Sequence, residues 1–216
     1  MNNRFIRFKD RRDAAMKLIP YLNKYKNEHG VVLAVPRGGV PLAYYIAKEY
    51  NFPLELLMTK KIGHPDNPEF AIGAVSLEDY IVDEYSNAPQ SYIDKSVVTI
   101  RKNLEEQYKR FMGNHKPVDL ENKIVIIVDD GVATGNTILS SIKMLRKRKP
   151  KKIVVVVPIA PPQTAVKIKK EVDDFICLYM PEDFMGVGFH YMDFSEVSNE
   201  EVMRLLNEIN RFEKAA

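Results

Sequence analysis

Asp129 and Asp130 close the apolar run Ile124-Val-Ile-Ile-Val128 and open the small-residue loop Gly131-Val132-Ala133-Thr134-Gly135-Asn136-Thr137. A continuous β-branched run predicts a strand buried on both faces of a parallel sheet. The carboxyl end of such a strand, where the two acids stand, is where open α/β sheets hold their ligands. Gly131 and Gly135 permit a tight turn with exposed backbone N–H groups, and Thr134, Asn136 and Thr137 add side-chain donors at the start of the next helix. A helix N-terminus with unpaired N–H groups favours a phosphate. The carboxylates repel phosphate but accept hydrogen bonds from vicinal hydroxyls. Together the two halves predict a site for ribose 5-phosphate.

Two further segments carry suitable chemistry. Arg37-Gly38-Gly39 follows the apolar stretch Val31 to Val35, so its glycine amides and a permanent cation are expected at the end of another strand. Lys60 and Lys61 precede the turn-rich segment Ile62-Gly-His-Pro-Asp-Asn-Pro68, which reads as a mobile loop within a small antiparallel excursion, able to close over an anion. Beyond the last apolar run, Phe189 and Tyr191 are candidates to stack on a planar base. Gly186 and Gly188 do not make a dinucleotide fingerprint, because position 191 is Tyr, and there is no G-x-x-x-x-G-K-[ST] loop. The histidines show no metal-ligand spacing among themselves or with Cys177.

The elements that must position these residues alternate. Helical spacing is read near residues 10–28, from Pro36 to about Tyr50, near 90–112, from Ile138 to Leu145, after Pro161-Pro162, and around Val202 to Ile209. Strands are read at Val31 to Val35, Leu54 to Met58, Ile124 to Val128, Ile153 to Val157 and Phe175 to Tyr179, with β-like runs at Ala71 to Ser76 and Tyr80 to Val82. The pattern predicts an α/β fold with a mostly parallel twisted sheet flanked by helices. One domain over residues 1–216 is expected, interrupted by a flexible excursion near 59–86.

With 32 Lys+Arg against 29 Asp+Glu, the near-neutral total gives no global reason to bind nucleic acid or an anionic membrane. The basic run Arg146-Lys-Arg-Lys-Pro-Lys-Lys152 reads as the cationic end of a helix. A lone Cys177 in an apolar run excludes a disulfide within the chain and reads as a buried small hydrophobe. No apolar stretch reaches the length of a membrane span, and Met1 to Lys9 lack a signal-peptide core, so a cytoplasmic location is expected.

The strand, acid pair and Gly/Ala/Thr loop from Val125 to Thr137 resemble the binding motif of the type I phosphoribosyltransferases. Phe8-Lys-Asp-Arg-Arg12, Pro36-Arg-Gly-Gly-Val-Pro41 and Lys61-Ile-Gly-His-Pro-Asp-Asn-Pro-Glu69 are similar to the stand-alone members of bacteria and archaea. The resemblance implies a hood built from the N- and C-terminal segments, phosphoribosyl pyrophosphate (PRPP) as donor, Mg²⁺ carried on it, and a small-molecule acceptor such as a nucleobase. It implies that Asp129 and Asp130 bind the ribose hydroxyls, Gly131 to Thr137 the 5-phosphate, and Arg37, Gly38, Gly39 and Lys60 or Lys61 the pyrophosphate. It also implies a homodimer. Ala133 stands where enzymes acting on 6-oxopurines usually carry Asp, which points instead to adenine- or orotate-type motifs. The alternative is a regulatory protein that keeps the fold to sense PRPP or nucleotides, or to bind RNA.

Overall fold

Five β-branched or apolar segments build the centre of the molecule in a computed structural model that describes residues 8–215, with side chains described through residue 209. In chain order the elements are α1 (Arg11–Leu18), β1 (Gly30–Ala34), α2 (Gly39–Tyr50), β2 (Leu54–Leu56), β3 (Thr59–His64), β4 (Asn67–Ser76) and β5 (Tyr80–Val82). They continue with α3 (Gln90–Met112), β6 (Ile124–Val128), α4 (Asn136–Arg146), β7 (Lys152–Ile159), α5 (Pro162–Glu171), β8 (Asp174–Tyr179) and α6 (Asn199–Ala215). The parallel sheet runs β2-β1-β6-β7-β8, and β3-β4-β5 form a separate antiparallel sheet. Met1 to Arg7, part of the stretch read as lacking a signal-peptide core, lie outside the described residues.

Strand alternation assigns the core to two layers. Val32, Ala34, Ile126, Val128, Val154 and Val156 belong to one buried cluster with residues of α1, α2 and α6. Val31, Leu33, Val125, Ile127, Val155 and Val157 belong to another with residues of α4 and α5. Every residue of β1 and β6 is therefore buried, as a strand covered on both faces requires. A third cluster joins Ile62, Ile72 and Val75 of the small sheet to Ile93 and Val97 of α3.

Two expectations need correction. The helix read near residues 10–28 ends at Leu18, and Ile19–Tyr25 continue as 3₁₀ turns. Pro20 removes a helical donor and crowds the preceding turn, which accounts for the change. The segment after Lys61, read as a mobile loop within a small antiparallel excursion, does lie in an antiparallel sheet, but β3 and β4 pair further into the turn-rich stretch than expected, with Lys60 opposite Val75 and Lys61 opposite Ala74. Its pairing shifts register around Ile62 to His64. A Cβ on Gly63 would lie 2.4 Å from the Pro68 carbonyl oxygen, so this crossing needs glycine. None of the described helices is long and apolar enough to cross a membrane.

The N-terminal segment is tied to the stretch after β8. The Phe8 N–H donates to the His190 carbonyl, and the Met192 and Asp193 N–H groups donate to the carbonyls of Phe8 and Lys9, at 2.8, 2.8 and 2.9 Å. These two segments lie together beside the loops that follow β1 and β6, through contacts described below.

Candidate functional site

The strand order reverses between β1 and β6. From β1 the chain crosses through α2 to β2 on one side, and from β6 it crosses through α4 to β7 on the other. Ligands of open α/β sheets bind at such a switch point, beyond the carboxyl ends of the strands. The loop at residues 35–38 and the loop at residues 129–135 flank that crevice. They are held together by the Val35 N–H, which donates to the Val128 carbonyl at 2.9 Å.

Contact between the loops is close enough to dictate residue type. A Cβ on Gly38 would lie 2.1 Å from Asp130 Oδ2, and one on Gly39 would lie 2.5 Å from the Val128 carbonyl oxygen. The two glycines thus bring Arg37 and the acid pair into one site, in addition to any role for their amides. The Pro36–Arg37 peptide is cis.

Asp130 is buried. Its Oδ2 receives Arg11 Nε at 3.0 Å and pairs with the other arm of the guanidinium at 2.9 Å. Arg11 also donates to the Ser195 carbonyl at 2.7 Å and lies 4.1 Å above the Phe194 ring. Asp129 is half-buried, and its Oδ1 accepts the Asp130 N–H at 2.8 Å. Burial raises both carboxyls; the neighbouring Asp130 charge pushes Asp129 further up, whereas Arg11 pulls Asp130 back down. Two acids share one arginine here. A group that donates hydrogen bonds to the acids, or a cation, would relieve their repulsion.

The phosphate loop divides its residues between structure and exposure. Gly131, Val132 and Gly135 are buried, while Ala133, Thr134, Asn136 and Thr137 are exposed. The Val132 N–H donates to the Ile159 carbonyl at 2.9 Å, so Val132 anchors the loop and its amide is not offered to an anion. Thr164 Oγ1 donates to the Ala133 carbonyl at 2.6 Å. Gly135 has φ 76°, a left-handed conformation that favours glycine and turns the chain into α4. The first amide bonded back along α4 is that of Leu139, which donates to the Gly135 carbonyl at 2.8 Å. The preceding first-turn amides have no intrahelical acceptor and point, with the helix dipole, toward the crevice.

Arg37 forms an ion pair with the exposed carboxylate of Glu196. Lys61 bonds to Glu69 Oε2 at 3.0 Å within the hairpin, and Lys60 is exposed on β3. Neither lysine is brought into contact with the acid pair. Tyr191 is not presented for stacking: its ring is 3% exposed against Phe8 and Phe194, and its hydroxyl donates to the Asp130 carbonyl at 2.7 Å. It therefore buttresses the acid pair, a correction of the stacking expectation. Phe189 is exposed at 49%.

Reading the sequence did not single out Arg11 or Glu196 as site residues. Both belong to segments flanking the core, and their partners lie 119 and 159 positions away, so no spacing rule connects them. The Phe8-Lys-Asp-Arg-Arg12 segment was the only available signal for Arg11. Within the basic run, Arg146, Lys147, Arg148 and Lys151 pair with Asp173, Asp79, Glu78 and Glu28. Those pairs neutralise much of the surface that an RNA contact would use. Cys177 is half-buried rather than buried, and burial pushes its thiol up to about 11.

Residues 7–192 match the phosphoribosyl transferase domain family. A Mycobacterium tuberculosis H37Rv protein that carries the phosphoribosyl transferase name is 34% identical over 209 residues, covering 94% of this chain and 47% of its own length. The chain thus spans about half the length of the curated relatives it matches. The crystal structure of TT1426 from Thermus thermophilus superposes with a TM-score of 0.85 at 34% identity, over 94% of this chain and 99% of that one. A Neisseria gonorrhoeae hypothetical protein with bound ppGpp shares the fold at TM-score 0.54 and 16% identity, over 94% and 96% of the two chains. By the extent of these matches, the chain belongs to the phosphoribosyl transferase domain family.

Proposed function

We propose that this protein transfers the 5-phosphoribosyl group between PRPP and a nitrogenous small-molecule acceptor of the nucleobase class, with release of pyrophosphate. The observation that carries this reading is the meeting of the acid pair with the Arg37-Gly38-Gly39 loop at the switch point, where Gly38 leaves no room for a Cβ beside Asp130. In this reading the ribose hydroxyls donate to Asp129 and Asp130, and the 5-phosphate takes the exposed Thr134, Asn136 and Thr137 donors with the first amides of α4.

Breaking the bond from C1′ to pyrophosphate leaves positive charge on the sugar and negative charge on the leaving group. The carboxylates lie on the sugar side of that separation, while Arg37, the glycine amides and Lys60 or Lys61 of the hairpin receive the pyrophosphate. This is catalysis by positioning and electrostatics, with no covalent nucleophile. Mg²⁺ would be delivered on the substrate, held by its phosphate oxygens and waters, because that ion needs few protein carboxylates and the acid pair is committed to the ribose hydroxyls. When bound, it neutralises charge on the leaving pyrophosphate. Ala133 is exposed on the loop and offers no carboxylate to a base, which favours an acceptor other than a 6-oxopurine. A homodimer in a cytoplasmic setting belongs to the same reading.

Calorimetric titration with PRPP and Mg²⁺ tests it. Binding by the wild type, weakened at least about tenfold in Asp130→Asn as expected for hydrogen bonds to a charged group, supports it. Equal binding by both proteins refutes it. A second reading, a sensor that binds PRPP or a nucleotide without turnover, is favoured by one observation: Arg11 and Glu196 already pair with Asp130 and with the Arg37 cation. Binding without pyrophosphate release, across acceptors, would favour that reading.

A further inference from the structure

The proposed reaction makes no use of Glu55, a carboxylate 4% exposed on β2. Its Oε2 accepts the Tyr108 hydroxyl at 3.0 Å and the Val118 N–H at 3.3 Å. Its Oε1 has only longer approaches, from the Tyr108 hydroxyl at 3.4 Å and His115 Nε2 at 3.8 Å. A carboxylate has about four lone-pair sites, so Oε1 retains capacity for a short hydrogen bond. Burial raises the Glu55 carboxyl, opposed by Tyr108, His115, the Val118 N–H and Arg148.

Glu55 also lines a partly open cavity of about 290 Å³ between β2, the start of β3, the end of β4 with the turn after it, α3, the stretch at 117–120 and α4. That volume is at the lower end of small-molecule pockets, roughly 300–1,000 Å³. Much of the wall is apolar, including Met58, Leu77, Met144 and Leu145. The rim cations are already matched: Lys147 pairs with Asp79 at 2.6 Å and Arg148 with Glu78 at 3.2 Å. The buried carboxylate therefore sets the sign of the interior, which disfavours an anion and suits a hydrogen-bond donor on an apolar body.

We propose that this cavity is a second ligand site, for a small molecule with a compact apolar body and an N–H donor group that pairs with Glu55. It is separate from the crevice between β1 and β6 but is connected to it. Thr59 and Ser141 both line the cavity and are 2.9 Å apart through their hydroxyls. Ser141 also donates to the Thr137 carbonyl in the phosphate loop at 2.8 Å, and Thr59 begins the strand that carries Lys60 and Lys61. An occupant would touch the root of both proposed phosphate-handling elements.

The test uses the full chain labelled at its methionine methyl groups, with benzamidine as the probe and benzoate as its anionic counterpart. Saturable shifts at Met58 and Met144 with benzamidine, absent with benzoate, are expected. Glu55→Gln should weaken binding at least about tenfold, the scale of a hydrogen bond to a charged group, and Leu77→Trp should block it by filling the cavity. Absence of saturable shifts at these two methyls, equal binding of benzoate, or unchanged affinity in Glu55→Gln overturns the proposal. If Glu55→Gln loses its folded spectrum, retained binding in Leu77→Trp overturns it instead. The readout does not involve turnover, so it stands apart from the fate of the phosphoribosyltransferase reading.

Discussion

Replacing Asp129 by Asn isolates the electrostatic cost of building the acid pair. Asp129 loses hydration on folding and faces the Asp130 charge, while the nearest cation, Arg11, is bonded to Asp130. Asn has nearly the same shape and keeps an oxygen to accept the Asp130 N–H at the 2.8 Å contact. The substitution should therefore stabilise the free protein while removing a proposed substrate ligand. Stabilising changes of this kind are worth about 0.5–2 kcal/mol, and a chain of this size shifts by about 2–4 °C per kcal/mol, hence about 1–8 °C. The sign with pH follows from the raised carboxyl. Between the ordinary value of 3.8 and its raised value, the Asp129 carboxyl holds in the folded state a proton that the unfolded state has released, so its contribution to stability falls as pH rises through that range. The gain from Asp129→Asn should therefore grow as pH rises through the range in which the folded carboxyl ionises, and shrink below it. Thermal melts of both proteins across a pH series measure it. A variant that melts lower than the wild type at the alkaline end of the series, or a gain that falls as pH rises, refutes the account of a strained acid pair.

The neighbouring positions should behave differently. Arg11→Met removes the cation from a buried pair and should cost about 3–5 kcal/mol at neutral pH in denaturant unfolding, with part of the loss recovered in acid as Asp130 protonates. Gly38→Ala puts a Cβ 2.1 Å from Asp130 Oδ2, and should lower kcat/KM for PRPP about a hundredfold or more, measured by pyrophosphate release. Glu196→Gln frees Arg37 from an exposed ion pair; such pairs are worth at most about 1 kcal/mol, so calorimetry should find PRPP bound up to about fivefold more tightly. Replacing Lys60 and Lys61 together by Ala should reduce kcat by about 10²-fold, as for loss of a charge-stabilising group, with far less change in the melting temperature because both are exposed.

The parallel sheet was legible because β1, β6 and β7 are contiguous apolar runs, β-branched throughout β6 and most of β7, and a strand apolar at every position must be covered on both faces, as the two opposite core layers show. The acid pair and the glycine loop were legible for the same reason: they are continuous in sequence. What escaped depends on contacts between distant segments. Arg11 and Glu196 reach the site from the two flanking ends of the chain, and Tyr191 looked like a stacking residue because an aromatic in sequence carries no direction. Within the antiparallel excursion, the extension of β3 and β4 toward their turn was hidden by Gly63, Pro65 and Pro68, turn-forming residues that the register shift accommodates. Pro20 lies in plain sight, but the apolar spacing on either side of it runs on at a helical period and masks the break it makes in α1.

Pyrophosphate release from PRPP with Mg²⁺, across a panel of purine and pyrimidine bases with Asp130→Asn as control, tests the central claim most directly. The account predicts release with a base other than a 6-oxopurine, and its loss in the variant. No release with any base, or release undiminished in Asp130→Asn, would contradict it.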